Sequence, residues 1–309
     1  MQRQIAKIAL LAGLAVSAVP GTSTTLALVM GAAVGLVLGN PWPQRSSLWS
    51  RNLLQLSVVG LGFGMSIKEV VQTGQSSLVF SVVGISFTLL TGFLLGHVLK
   101  VGPNTSALIS AGTAICGGSA IAALAPSLKA KDEETAVALA TVFTLNSVAL
   151  LLFPMIGHLL QLNQATFGTW AGLAIHDTSS VVGAAAAFGS QALATGTTVK
   201  LTRAIWITPV VLAVAAFNGA DRKLHVPLFI IGFVLAAALR TLVPQYGELW
   251  AGLAATARQC LVVTLFLVGA GLSREVLGKV GVRPLVQGIV LWGVVSAATL
   301  TALLRLGLA

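Results

Sequence analysis

A chain of 309 residues that is 56% hydrophobic and only 8% charged, with a mean hydropathy of +0.94, lacks the polar surface that a soluble globule of this size needs. Its formal net charge of +10 arises from 18 Lys and Arg against 8 acidic residues. The cations gather between apolar runs, which is the pattern of membrane loops and excludes a nucleic-acid surface. The expected fold class is therefore an all-α polytopic membrane protein of about nine to eleven segments, one integral membrane domain over residues 1–309.

Arg3 and Lys7 precede an apolar run ending near Val16-Ser17-Ala18, which imitates a secretory signal peptide but, with so many spans following, is read as an uncleaved first helix with a cytoplasmic N-terminus. Leu26 to Leu38 is the next span, and Asn40-Pro41-Trp42-Pro43 stops it, with Arg45 and Arg51 marking a cytoplasmic loop. Leu53 to Ser66 crosses back, Lys68-Glu69 cap its far end, and Leu78 to Leu99 returns. Ala111 to Pro126 then sets Gly117-Gly118 in the middle of an apolar run, where each glycine weakens a helix by about 1 kcal/mol. A long span from Thr135 to Leu160 carries Asn146 near its middle.

Gly172 to Gly189 places His176 beside Asp177 in an apolar segment. An Asp at the centre of a membrane helix costs roughly 2.5 to 3.5 kcal/mol on translocon scales, so it faces protein or a water-filled cavity. Gly196-Thr197-Thr198 separates this stretch from a span over Val199 to Phe217 that opens with Lys200 and Arg203. After the polar loop at Asp221-Arg222-Lys223, spans at Leu228 to Leu242, Gln259 to Leu272 and Leu285 to Leu306 complete the chain.

Residues 105–126 and 170–190 are thus expected to be two interrupted helices that face one another, the usual construction of a carrier's binding site. An interrupted helix exposes N–H groups and a partial positive charge of about half a unit, so Cys116, Gly117, Gly118 and Ser119 are candidates for contact with a small anion. Lys200 and Arg203, three apart on one helix face, supply compensating charge or pair with Asp177, unless they are surface signals of orientation.

His176 and Asp177, with the hydroxyls of Thr178, Ser179 and Ser180 and with Asn146, are candidates for a coupling ion, proton or sodium. The competing readings are a structural His176 bonded to Asp177 or a backbone carbonyl, and an Asn146 that makes an interhelical hydrogen bond. No metal or cofactor motif is present, the two cysteines support no pairing pattern, and no phosphate loop exists. Adjacent His and Asp point in different directions on a helix, so an enzyme is not expected. A channel built on the same interrupted helices is the alternative to a carrier. The expected partners are the anion, the coupling ion, the lipid bilayer and, as an option, a second copy of the chain.

A repeat runs through the sequence. Pro43-Gln44 and Leu48-Trp49 recur at one spacing as Pro244-Gln245 and Leu249-Trp250, Gly31 maps onto Gly232, and Lys68-Glu69-Val70 resembles Arg274-Glu275-Val276. Residues 24–99 and 227–306 are the related segments, as internal duplication in carriers leads one to expect. If both interrupted stretches are re-entrant, more of the 18 cations are cytoplasmic than if both span. The favoured topology has nine crossings and inverted halves, with eleven crossings as the alternative.

Gly112 to Pro126 with Lys129-Ala130, Ile175-His176-Asp177 with Val181-Val182, and Lys200 with Arg203 resemble the signature segments of the YeiH-like family of membrane proteins assigned to sulfate export. The likeness covers nearly the whole chain. It implies a bacterial inner-membrane protein related to the cation:proton antiporter and anion transporter superfamily, and the function expected with it is export of sulfate, a sulfonate or another small anion, with the proton ahead of sodium as the coupling ion.

Overall fold

A bilayer offers backbone N–H and C=O groups no partners, so apolar runs that enter it fold as helices. The computed structural model describes residues 2–218, 228–271 and 281–306, and every regular element among them is helical. In chain order these are α1 (Gln2–Ala18), α2 (Thr24–Ala33, extended by a π-turn over Val34–Leu38), α3 (Pro43–Gly62), α4 (Ile67–Val98), α5 (Pro103–Ala114) and α6 (Gly118–Leu124). They continue as α7 (Asp132–Leu159), α8 (Gln164–Ala174), α9 (Thr178–Phe188), α10 (Ser190–Ala204), α11 (Ile207–Asn218) and α12 (Leu228–Leu242). After a 3-10 turn at Pro244–Tyr246 come α13 (Gly247–Ala270) and α14 (Val282–Leu306). Five stretches among the described residues are long and apolar enough to cross a membrane: Ile67–Val98, Asp132–Leu159, Ser190–Asn218, Pro244–Ala270 and Val282–Arg305.

Three boundaries differ from expectation. Pro43 begins a helix, because its fixed φ and missing N–H cost nothing at the first position. Arg45 and Arg51 therefore lie on α3, not in a loop. Lys68 and Glu69 open the 32-residue α4: the Ser66 N–H donates to Glu69 Oε2 at 2.8 Å while Ser66 Oγ accepts from the Glu69 N–H at 3.2 Å, a capping box. Finally, Gly196-Thr197-Thr198 is not a linker but part of α10, so Lys200 and Arg203 lie well inside that helix. A Thr198 hydroxyl bonded back to the Ala194 carbonyl at 3.0 Å and the close approach of Gly196 to the Gly168 carbonyl make these small polar residues compatible with a buried helix.

The chain groups into two compact units, residues 1–72 with 228–275 and residues 73–227 with 276–309. In the first, α13 packs on α2 and α3, and α12 on α3. Backbones touch there: a Cβ at Gly31 would strike the Phe266 carbonyl, and one at Gly269 the Leu28 carbonyl. Leu10, Ala27, Val262, Phe266, Leu267 and Ala270 form its core. The two Pro-Gln turns of the repeat share a local shape, Trp42 at φ −135°, ψ 61° before Pro43 and Val243 at φ −126°, ψ 66° before Pro244. Arg274-Glu275-Val276 and the Asp221-Arg222-Lys223 loop lie outside the described residues.

In the second unit α5 and α7 start side by side, with Asn104 Nδ2 donating to Glu134 Oε2 at 3.0 Å. Further along, a Cβ at Gly112 would lie 3.2 Å from Val142 Cγ2, so the two helices run parallel. The same Cβ would lie 2.9 Å from Ile121 Cδ1, which places α6 back against α5. Helices α5 and α6 thus form a hairpin whose chain returns to the end it came from. A second hairpin follows the same plan. The Gln191 N–H donates to Gln164 Oε1 at 2.9 Å, and a Cβ at Gly172 would lie 2.8 Å from Val199 Cγ1, so α8 and α10 run parallel with α9 folded back between their ends. Phe188 stacks on His158 at 4.4 Å and on Phe167 at 3.8 Å, which puts the open end of this hairpin at the C-terminal end of α7, opposite the first.

Candidate functional site

The two hairpins meet at their tips. In the first, the chain leaves α5 through Ile115 (φ −119°, ψ −86°) and reverses at Gly117, whose φ of 66° and ψ of −127° favour a residue without a Cβ. A Cβ there would stand 2.9 Å from Asp177 Cβ and 3.3 Å from Asp177 N, so one tip rests directly on the other. In the second tip Ile175 and Asp177 are extended and His176 lies between them. Asp177 caps α9: its Oδ1 accepts the Ser180 N–H at 2.9 Å, and Ser179 Oγ donates to Oδ2.

Helix α10 staples both hairpins with its two cations. Lys200 Nζ donates to the Ile175 carbonyl at 2.6 Å, and Arg203 Nη2 reaches the Thr113 carbonyl at 3.5 Å. Each carbonyl belongs to the C-terminal end of a half-helix, where the helix dipole presents partial negative charge. Lys200 and Arg203 are 0% and 1% exposed, which removes the surface reading of both. Their bonds go to carbonyls and not to the Asp177 carboxylate, so of the alternatives the ion pair with Asp177 is not formed. Arg203 Nε meets no partner among the described residues.

His176 is completely buried, and neither ring nitrogen has a partner among the described residues, so the reading of a structural histidine bonded to Asp177 or a carbonyl is not what the fold contains. Asn146, at the middle of α7, does make the interhelical bond: its Oδ1 accepts the Asp177 N–H at 3.4 Å. Its Nδ2 meets no partner among the described residues. The tips have two unlike sides. Asp177, Thr178 and Ser179 are half-buried and Ser119 is exposed, whereas Cys116, His176, Ser180, Lys200 and Arg203 are buried. Among the described residues no group of three or more His, Cys, Asp or Glu is arranged to hold a metal ion.

Two features escaped sequence reasoning. Trp292 on α14 stands against His176, ring centroids 6.1 Å apart, and an isolated tryptophan in a membrane helix carries no signal of such a role. The second was visible and missed. Ala111-Gly112-Thr113-Ala114-Ile115-Cys116-Gly117-Gly118-Ser119 aligns without gaps on Ala171-Gly172-Leu173-Ala174-Ile175-His176-Asp177-Thr178-Ser179, an offset of 60 (172 − 112), with Ala, Gly, Ala, Ile and Ser shared. Cys116 and His176, and likewise Gly117 and Asp177, occupy equivalent places in the two tips.

Comparison with known proteins agrees with the membrane assignment. A family model described as conserved hypothetical protein 698 matches residues 3–288. The chain is 66% identical over 290 residues to a UPF0324 membrane protein of Geobacter sulfurreducens, covering 94% of each chain. It is 48% identical over 308 residues to one from Bdellovibrio bacteriovorus, covering 97% of this chain and 95% of the relative. A third, from Vibrio vulnificus, is 50% identical over 294 residues, 92% of this chain and 94% of the relative. No solved structure matches.

Proposed function

The chain belongs to the conserved hypothetical protein 698 family, the UPF0324 membrane proteins, and from that premise we propose that it is a secondary carrier of a small anion with its binding site at the two hairpin tips. One observation carries this reading: two cationic side chains, Lys200 and Arg203, are fully buried at the tips, and the Asp177 carboxylate is already held by Ser179 and Ser180. A buried charge without a counter-charge is costly, and a transported anion supplies it. Lys200 spends a short bond on Ile175, so Arg203, with an unused Nε, is the main anion ligand, and Cys116 to Ser119 line the approach.

The two hairpins are re-entrant loops entering from opposite sides of a bacterial inner membrane, which makes an inverted pair, with the N-terminus in the cytoplasm. The half-buried side, Asp177 with Thr178 and Ser179, takes the coupling ion, a proton in the first instance. Sulfate or a sulfonate is the substrate class, in keeping with the family resemblance.

Purified protein in proteoliposomes tests this. Saturable, proton-dependent sulfate flux is expected, while flux that rises without saturation indicates a channel. Arg203→Gln removes a charge-assisted hydrogen bond and should weaken sulfate affinity roughly 10- to 100-fold. Arg45→Gln, at an exposed position on α3, should leave it unchanged. Normal affinity in the first variant together with loss in the second places the site elsewhere.

A further inference from the structure

Several buried polar atoms of the second unit that meet no hydrogen-bond partner among the described residues gather around one tip: both ring nitrogens of His176, Asn146 Nδ2 and Trp292 Nε1. The three residues are 0%, 4% and 8% exposed. They come from three elements, the second hairpin tip, the middle of α7 and α14. Asn146 is tied to the tip through the Asp177 N–H, and Trp292 stands 6.1 Å from the His176 ring.

The neighbouring indole shows that this part of the fold does supply partners. Phe153 stacks on both Trp170, at 4.2 Å, and Trp292, at 5.9 Å. Trp170 Nε1 donates to the Ser296 carbonyl at 3.0 Å, whereas the Trp292 N–H has no acceptor among the described residues. Buried donors left unpaired are rare in folded proteins, and three residues so placed at one tip share a chemical character. An indole nitrogen and an amide nitrogen only donate, and a neutral imidazole offers one donor and one acceptor. Asp177, the nearest carboxylate along the chain, has its oxygens engaged by Ser179 and Ser180.

On the strength of the carrier reading above, we infer that His176, Asn146 and Trp292 form a wall of neutral hydrogen-bond donors for the anion, and that this wall selects an oxyanion over a halide. A buried cluster whose unpartnered atoms are an indole N–H, an amide nitrogen and an imidazole, with the Ser296 hydroxyl one turn from Trp292 able to donate as well, is complementary to a ligand that only accepts. A tetrahedral oxyanion offers each of the three elements an acceptor atom of its own, whereas a halide must draw all of their donors to one point. In this arrangement Arg203 supplies charge and the wall supplies selectivity.

Full-length protein in detergent, titrated calorimetrically with sulfate and, at matched ionic strength, with chloride, tests the inference. The wild type is expected to bind sulfate in preference to chloride. Trp292→Phe keeps the ring stack and removes the N–H, so sulfate affinity should fall about tenfold while the ligand-free melting temperature holds. If Trp292→Phe does not fold, Asn146→Asp asks the same question, since it keeps an acceptor for the Asp177 N–H and replaces the amide donors by oxygen; sulfate affinity should fall by at least as much. Unchanged sulfate affinity in a folded variant, or equal binding of chloride and sulfate by the wild type, overturns the donor wall. A loss in Arg203→Gln without a loss in Trp292→Phe overturns the wall alone and leaves the carrier standing. A wild type that binds neither ion overturns both.

Discussion

Asp177 has two roles that a single substitution can separate. Its carboxylate caps α9 through the Ser180 N–H and accepts from Ser179, and it is the acidic group of the tips. Asn caps a helix about as well as Asp, so Asp177→Asn is expected to fold, reach the membrane and bind sulfate, yet lose pH-dependent accumulation in proteoliposomes. Asp177→Ala also loses the cap, at about 1 kcal/mol, and should lower the melting temperature. An Asp177→Asn carrier with unaltered pH dependence assigns coupling to another group, with sodium at Thr178 and Ser179 as the next candidate. His176, Asp177, Lys200 and Arg203 were legible as polar residues in apolar runs, because such residues are expensive in a bilayer unless something needs them. Trp292 was not, since tryptophan is ordinary in a membrane helix and its unpaired N–H exists only as a relation to neighbours.

At the level of elements, the interruptions were legible and the count of cytoplasmic cations favoured re-entry, but what turns the chain back was not legible. Gly117-Gly118 and Ile175-His176-Asp177 each announce a break, but a broken helix can run straight on or turn back. The turn depends on Ile121 packing against Gly112 and on Val199 filling the space beside Gly172, contacts that no local pattern encodes. Gly117 is where this is most exposed to test. An alanine at φ 66°, ψ −127° costs about 1 to 3 kcal/mol and brings its Cβ to 2.9 Å from Asp177 Cβ, so Gly117→Ala should lower the melting temperature and sulfate binding together. Gly84→Ala in α4, where a Cβ meets nothing within 4 Å, is the control and should be neutral or slightly stabilising. Equal melting temperatures for the two variants would show that the tips are not in tight contact.

For the molecule as a whole, α7 provides the ruler. Its 28 residues span about 42 Å at 1.5 Å per residue, more than the ~30 Å hydrocarbon core, so it is long enough to set its ends on opposite sides of the membrane, as the proposed topology requires. With Cys116 and Cys260 replaced, a cysteine at Ala130, between Lys129 and Lys131, should label from the cytoplasm, and one at the exposed Leu160 from outside. Labelling from one side, or Ala130 reached only from outside, sinks the proposed topology. The sequence by itself determined that the chain is helical and membrane-embedded, roughly where each helix lies, and which polar residues are out of place, because hydropathy and helix-breaking are local properties summed over a few residues. Only the tertiary structure decided that Gly117 rests on Asp177, that Lys200 and Arg203 hold the Ile175 and Thr113 carbonyls, and that Trp292 faces His176. Those pairs lie far apart in the chain, and whether a buried donor finds an acceptor is fixed by the packing of several helices at once.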